Sequence, residues 1–260
     1  MLPGMPAATE QPSPKDRFLT VYGRKPVLEA LADPTLTVDK VLLAEGMRGA
    51  GPREIIQAAR VKGVPVNRVS AHRVKVLAGN GKQDQGVLAD VVAPRMRPLA
   101  AALRSKAAPK VILLLDGITT PANVGMILRT ATAAGIGGIV VPRKGVAALD
   151  PLVVKASAGV AFRAPVLRCG TAAEAAEELR AAGYPLFALG SDGARGLFDG
   201  ELPERAGYVL GGETSGVSVE VARLVADQVA IPMPGEVESL NVASAAAVLC
   251  FELVRRSLAG

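Results

Sequence analysis

The sequence predicts an α/β protein with a mostly parallel sheet, preceded by a small α/β unit. Short apolar runs alternate with helix-period segments along nearly the whole chain. The run 111–115 (VILLL) is apolar at every position, as expected of a central parallel strand covered on both faces. Half of the residues are apolar, enough for a sizeable core, yet aromatics make up only 3%. Ala, Val, Leu and Ile must therefore fill that core.

Residues 1–17 are proline-rich and lack the apolar stretch of a signal peptide, so they read as a disordered tail. In 18–93 the pattern gives a short helix at 26–32, a strand at 40–44 (KVLLA) and a helix at 52–62. The last of these opens on Pro52, which suits a first helical turn. A strand at 65–67, a helix at 71–78 and a strand at 86–92 complete this unit. Residues 94–109 carry three prolines and read as a linker with room for a helical turn. From 110 onward the alternation strengthens. The strand 111–115 is followed by a helix at 122–134, a strand at 138–141, a helix at 151–156 and a strand at 165–167. The helix 171–182 is capped by Thr171 and stopped by Gly183. Strands follow at 185–189, 208–210 and 229–231, and a last helix runs over 240–258. No run is long enough to span a bilayer as a helix.

A net charge of +6 and a pI near 9.5 favour a polyanionic partner. Cys169 and Cys250 are the only cysteines and form no C-x-x-C pair, which gives neither a disulfide framework nor a zinc site and fits a reducing cytoplasm. His72 is the only histidine, so a mechanism that needs a Ser–His pair, or two histidines on a metal, is nearly excluded by counting. No metal is expected.

Three stretches look out of place in a mere scaffold. The first, 116–130 (DGITTPANVGMILRT), leaves an apolar strand and enters a helix without the G-x-G-x-x-G spacing of a dinucleotide-binding turn. Asn123 sits near the helix start and Arg129 two turns along. Gly125 costs about 1 kcal/mol against Ala in a helix, so a close neighbour is expected there. A lone helical arginine is usually only a surface residue. The second stretch, 208–216 (YVLGGETSG), ends a strand in glycines that let a ligand approach the backbone, although alone it reads as a tight connection. The third, 231–247 (IPMPGEVESLNVASAAA), starts as a stiff loop lacking two backbone donors. Ser239 is its candidate N-cap, and the small residues that follow permit close packing.

Together these stretches resemble the three motifs of the SpoU (TrmH-type) branch of the SPOUT methyltransferases. Asn123-x-Gly125-x-x-x-Arg129-Thr130 is similar to the first, Gly211-Gly212-Glu213-x-x-Gly216 to the second, and Ile231-Pro-Met-x-Gly235 with Ser239-Leu-Asn-Val242 to the third. The front unit resembles the family's substrate-binding domain, related to a ribosomal-protein fold, through Gln85-Gly86-Val87 before its last strand. The chain departs from the family where Thr-Pro-Ala precedes Asn123 in place of Asp-Pro, and at Ala243, where a serine is usual.

The resemblance implies a disordered tail (1–17), an RNA-binding domain (18–93), a linker (94–109) and a catalytic domain (110–260) with a C-terminal trefoil knot. It implies S-adenosylmethionine as cofactor, held by main-chain groups at Leu210, Gly211, Ile231, Met233 and Leu240, with Leu189, Gly190, Gly212 and Ser239 around it. It assigns the ribose 2′-hydroxyl to Arg129. A guanidinium keeps its protons at neutral pH, so we read its role as placing the ribose-phosphate and stabilising the developing alkoxide. Asn123 then orients Arg129 or the ribose, and Glu213 and Asn241 support them. The front domain implies ribosomal RNA, and the family implies a homodimer with sites completed across the interface. The shortage of aromatics argues against base stacking, so salt-dependent phosphate contacts are expected, with Arg95, Arg97, Arg104 and Lys106 as candidates. A tRNA 2′-O-methyltransferase and a non-catalytic RNA-binding or ribosome-assembly factor remain as alternatives; a nucleotide-cofactor oxidoreductase is disfavoured by the missing glycine fingerprint.

Overall fold

The structure is a computed structural model, and it describes residues 17–78, 84–190, 195–199, 202–235 and 237–259. The tail expected at 1–17 therefore lies outside the described residues except for Arg17. Among the described residues the strands form two sheets.

The first sheet is built from β1 (Phe18–Tyr22), α1 (Arg24–Ala32), β2 (Val38–Ala44), α2 (Ala50–Lys62), β3 (Val66–Val69), α3 (Ala71–Ala78) and β4 (Val87–Val92). Its strand order is β1-β4-β2-β3. β4 is antiparallel to both neighbours, while β2 and β3 run parallel. β1 was not foreseen, because no turn residues precede it. β4 recruits it in register, with Phe18 opposite Val92, and this buries Leu19 and Val21.

The second sheet takes β5 (Arg97–Pro98), α4 (Leu99–Leu103), β6 (Val111–Leu115), α5 (Pro121–Ala133), β7 (Gly138–Pro142) and α6 (Pro151–Ala156). A 3-10 turn at Val160–Phe162 leads to β8 (Val166–Cys169), α7 (Ala172–Ala181), β9 (Leu186–Gly190), β10 (Arg195–Gly196) and β11 (Ala206–Leu210). The chain closes with α8 (Val219–Ala222), β12 (Asp227–Ala230) and α9 (Val242–Ala259). The order is β10-β12-β9-β11-β6-β7-β8-β5, parallel at every pairing. The all-apolar run 111–115 explains itself here. Leu113 and Leu115 enter the core shared with α5 and α9, whereas Ile112 and Leu114 face the cluster beneath α4 and α7. Thr171 caps α7 in a reciprocal capping box with Glu174.

One reading changes. Residues 94–109 are more than a linker: Arg97 and Pro98 pair with β8 at the sheet edge, where a proline is tolerated, and α4 buries Leu99 and Ala102. The core also runs continuously from Leu19 and Val21 of the first sheet to Leu113 of the second, so the two units are packed together.

All strands of the larger sheet being parallel, the loops after β6, β9, β11 and β12 leave at one edge, where ligands of open α/β sheets bind. After β12 the chain must cross this edge to bring α9 onto α5. That return is the segment which the resemblance implies to be threaded as a knot.

Candidate functional site

The three suspect stretches meet at this edge. The loop after β11 folds back on itself through paired bonds between Gly212 and Gly216, each amide donating to the other's carbonyl at 3.0 Å. Close approach explains its glycines. A Cβ on Gly212 would stand 2.5 Å from the Gly117 carbonyl oxygen, and one on Gly211 would collide with the Gly216 backbone. The buried carboxylate of Asp116 fastens the far end of the loop by accepting the Ser218 amide at 2.7 Å. Sequence reading gave Asp116 no role; an acid placed directly after an apolar central strand was the available signal.

Glu213, on this loop, faces the other two stretches. Its Oε1 accepts the Asn123 side-chain amide at 2.6 Å and the Asn241 side-chain amide at 2.9 Å. Asn241 also donates to Asn123 Oδ1 at 3.1 Å. Its own Oδ1 accepts the Ala243 and Ser244 amides at 2.9 and 3.3 Å, so Asn241 rather than Ser239 caps α9. α9 begins at Val242, two residues later than the helical pattern suggested. Asn123 is buried, with both ends of its amide bonded. The network is closed: it locks the start of α5, the 211–216 loop and the cap of α9 into one rigid piece.

Beside this network lies a pocket of about 470 Å³. All nine residues expected around a cofactor line it: Leu189, Gly190, Leu210, Gly211, Gly212, Ile231, Met233, Ser239 and Leu240. Glu213 and Asn241 line it as well, as do Val242 of the third motif and Ala245, one of the small residues expected to permit close packing. The small volume at 245 leaves room beside the α9 backbone.

Gly125 has the close neighbour its helical cost called for. A Cβ there would sit 2.5 Å from Ala156 Cβ, 2.7 Å from the Val153 carbonyl oxygen and 2.9 Å from the Ser157 amide nitrogen, all at the end of α6. Two of these are backbone atoms and cannot swing aside. Gly125→Val is therefore expected to lower stability by about 3 kcal/mol, read as a drop of several degrees in the thermal midpoint. An unchanged midpoint would mean that α6 shifts without cost.

Arg129 is exposed and is absent from the pocket of its own chain. Helix geometry explains this, since six residues turn a side chain by about 240° relative to Asn123. Asn123 bonds Glu213 and Asn241 without itself lining the pocket, and Arg129 lies on another face of the same helix. Of the four basic candidates, Arg95 and Arg97 lie at the junction between the sheets. Arg104 and Lys106 fall between α4 and the amino end of β6, opposite the pocket edge. The structure does not bring these four to the pocket.

Cys169 and Cys250 are free and buried, and desolvation pushes both thiols up to about 12, so neither is reactive near neutral pH. Among the described residues no group of three His, Cys, Asp or Glu side chains could hold a metal ion. No described helix is long and apolar enough to cross a membrane.

Comparison with known proteins agrees with this geometry. Residues 110–251 match the SpoU rRNA Methylase family, and residues 20–97 match the RNA 2′-O ribose methyltransferase substrate-binding family. A 23S rRNA (guanosine-2′-O-)-methyltransferase of Xanthomonas axonopodis is 34% identical over 92% of this chain and 96% of its own length. A TrmH-family protein from Porphyromonas gingivalis superposes with a TM-score of 0.63 at 30% identity, over 93% of this chain and 91% of that one. The SpoU methyltransferase AviRb of Streptomyces viridochromogenes, solved in complex with AdoMet, gives a TM-score of 0.60 at 26% identity over 93% and 91%. A structure concerned with methylation of C/U34 on tRNA covers 99% of its own chain but only 58% of this one.

Proposed function

This chain belongs to the SpoU rRNA methylase family, and on that premise we propose that it transfers a methyl group from S-adenosylmethionine to a ribose 2′-hydroxyl of ribosomal RNA. The observation that carries the reading is the Asn123–Glu213–Asn241 network set against a pocket edged by main-chain loops. The pocket fits the cofactor in size and kind. Its volume lies within the range of small-molecule sites, and its glycine and proline loops offer main-chain donors and acceptors at little conformational cost. Leu210, Gly211, Ile231, Met233 and Leu240 would hold it, with Leu189, Gly190, Gly212 and Ser239 at its edges. When bound, the cofactor supplies an electrophilic methyl on a sulfonium with a neutral leaving group.

The protein's work is positioning and charge. The 2′-oxygen must lie in line with the methyl carbon and lose its proton as the new C–O bond forms. The rigid network fixes the wall against which the ribose rests. The guanidinium of Arg129 places the ribose-phosphate and offsets the negative charge growing on the 2′-oxygen, and the proton leaves to a phosphate oxygen or water.

Because α5 turns Arg129 away from its own pocket, a second copy is needed to use it. We read the enzyme as a homodimer in which Arg129 serves the partner's pocket. The outer stripes of α5 and α9 support this: Met126 is 41% and Phe251 52% exposed, and the exposed positions 244, 251, 255 and 258 recur on one face of α9. Two Xanthomonas relatives of similar length are named as 23S rRNA guanosine methyltransferases and two Staphylococcus relatives as tRNA/rRNA methyltransferases, whereas the tRNA-directed neighbour spans little more than half of this chain; the balance favours 23S rRNA. The reaction then belongs in the cytoplasm.

The direct test incubates purified protein with methyl-labelled cofactor and unmodified 23S rRNA transcript, then maps 2′-O-methyl positions. One position, filled to near completeness, is expected. RNA binding without any methyl incorporation would favour an assembly factor instead.

A further inference from the structure

A second cavity, about 730 Å³, is lined by residues of both units and shares none of them with the pocket described above. Lys25 and Tyr22 of the first unit line one wall; Leu152, Lys155, Phe162 and Arg163 line the other. Of the motif residues considered so far only Gln85, from the stretch that likens the front unit to a substrate-binding domain, lines it.

Its basic side is the α6 wall: Lys155 and Arg163 line it without an acid, whereas Lys25 on the other wall stands with Glu29 and Asp33. Asp150 is the one acid between 143 and 163. That carboxylate is occupied, since Oδ1 accepts the Leu152 and Val153 amides at the start of α6. The two acids on the opposite wall are engaged as well. Glu29 pairs with Lys25 at 3.9 Å, and Asp33 accepts both the amide and the hydroxyl of Thr35. Lys155 and Arg163 are both exposed and form no direct ion pair with a described carboxylate, although Arg163 is near enough to Asp33 to help hold that carboxyl below its usual range. The lining is apolar in part: Leu152 is 51% exposed, and Phe162, 4% exposed, and the prolines at 26 and 151 also face the cavity. Anion-seeking groups around a partly apolar slot match a nucleotide, which joins a flat base to a phosphate.

The cavity is also mechanically close to the chemistry. α6 forms its floor, and the opposite side of α6 is the surface against which Gly125 of α5 packs. One helix layer, about 10 Å, separates the slot from the helix that carries Asn123 and Arg129. The loop leading into α6 is tied to the start of the first motif by the Ala147 amide donating to the Ile118 carbonyl at 2.9 Å.

We propose that this slot lined by both units holds a nucleotide flanking the target in the substrate RNA, with its phosphates on Lys155 and Arg163 and its base against Leu152 and Phe162. The assignment rests on the RNA methyltransferase reading for the kind of ligand. It ranks these residues above Arg104 and Lys106, which lie at the far end of the sheet.

The test is the double variant Lys155→Ala/Arg163→Ala, assayed by filter binding to unmodified 23S rRNA transcript over a salt series. Affinity is expected to fall at least tenfold, and the slope of log affinity against log salt to shrink by about 1.5, the loss of two phosphate contacts. Leu152→Glu, which adds a carboxylate to the slot and leaves both cations in place, should weaken binding in the same direction. S-adenosylhomocysteine affinity within twofold of wild type shows that each variant is folded. Arg104→Ala/Lys106→Ala should change RNA affinity less than twofold. Wild-type affinity and slope in the Lys155/Arg163 variant, or a larger loss from the Arg104/Lys106 pair, overturns the proposal. Because binding is read without turnover, a wild-type protein that holds the RNA but never methylates it would refute the functional reading alone.

Discussion

Replacing Arg129 by alanine is expected to lower turnover about 100-fold or more while S-adenosylhomocysteine binds within twofold of wild type. The separation follows from where the residue sits. Arg129 is exposed, lies outside the lining of its own chain's pocket and takes no part in the bonds among Asn123, Glu213 and Asn241. Its removal therefore leaves the cofactor-facing loops intact. In the role proposed for it, the lost group acts on charge that develops only as the 2′-oxygen reacts, so the defect belongs in kcat rather than in cofactor affinity. Arg129→Lys should recover part of the rate, because it keeps the charge but loses the planar fork that holds a phosphate and a hydroxyl together. Single-turnover kinetics at saturating cofactor separate these cases. Near-normal turnover in the alanine variant would remove Arg129 from the mechanism.

Much of this site was legible before any coordinates. The run VILLL announced a doubly covered strand because every position is apolar, and its residues do divide between two cores. The helical cost of Gly125 announced a close neighbour, though only the structure could name it as α6. What stayed hidden had little local signal. β1 exists because β4 pairs with it, and β5 with α4 is anchored by Leu99 and Ala102 against residues far away in sequence. A proline-rich, arginine-rich segment looks like a linker until those burials are seen. The cap of α9 was misplaced for a related reason: Ser239 and Asn241 suit the role equally by type, and the choice fell to Asn241, which is held by Glu213 and Asn123. Tertiary partners decided each of these cases, and a single sequence does not display them.

Mixing two inactive proteins should restore activity. Arg129→Ala keeps an intact pocket but has no guanidinium to offer; Glu213→Ala keeps the guanidinium but leaves the amides of Asn123 and Asn241 without their shared acceptor. If Arg129 serves the partner's pocket, a heterodimer of the two variants contains one complete site, made from the pocket of the first and the arginine of the second. Half of the randomly mixed dimers are heterodimers, and each has one site of two, so about a quarter of wild-type activity is expected after subunit exchange. If Arg129 acts within its own chain, every site in the mixture lacks one part and activity stays at the background of either variant. Phe251→Glu supplies the complementary arm. A carboxylate on the outer face of α9 should split the dimer, as read by sedimentation, and abolish turnover while the Glu213 network and cofactor affinity persist. Full activity in a sedimenting monomer would show that one chain suffices, and the 240° between Asn123 and Arg129 would then have to be closed by the RNA bending around α5 rather than by a second subunit.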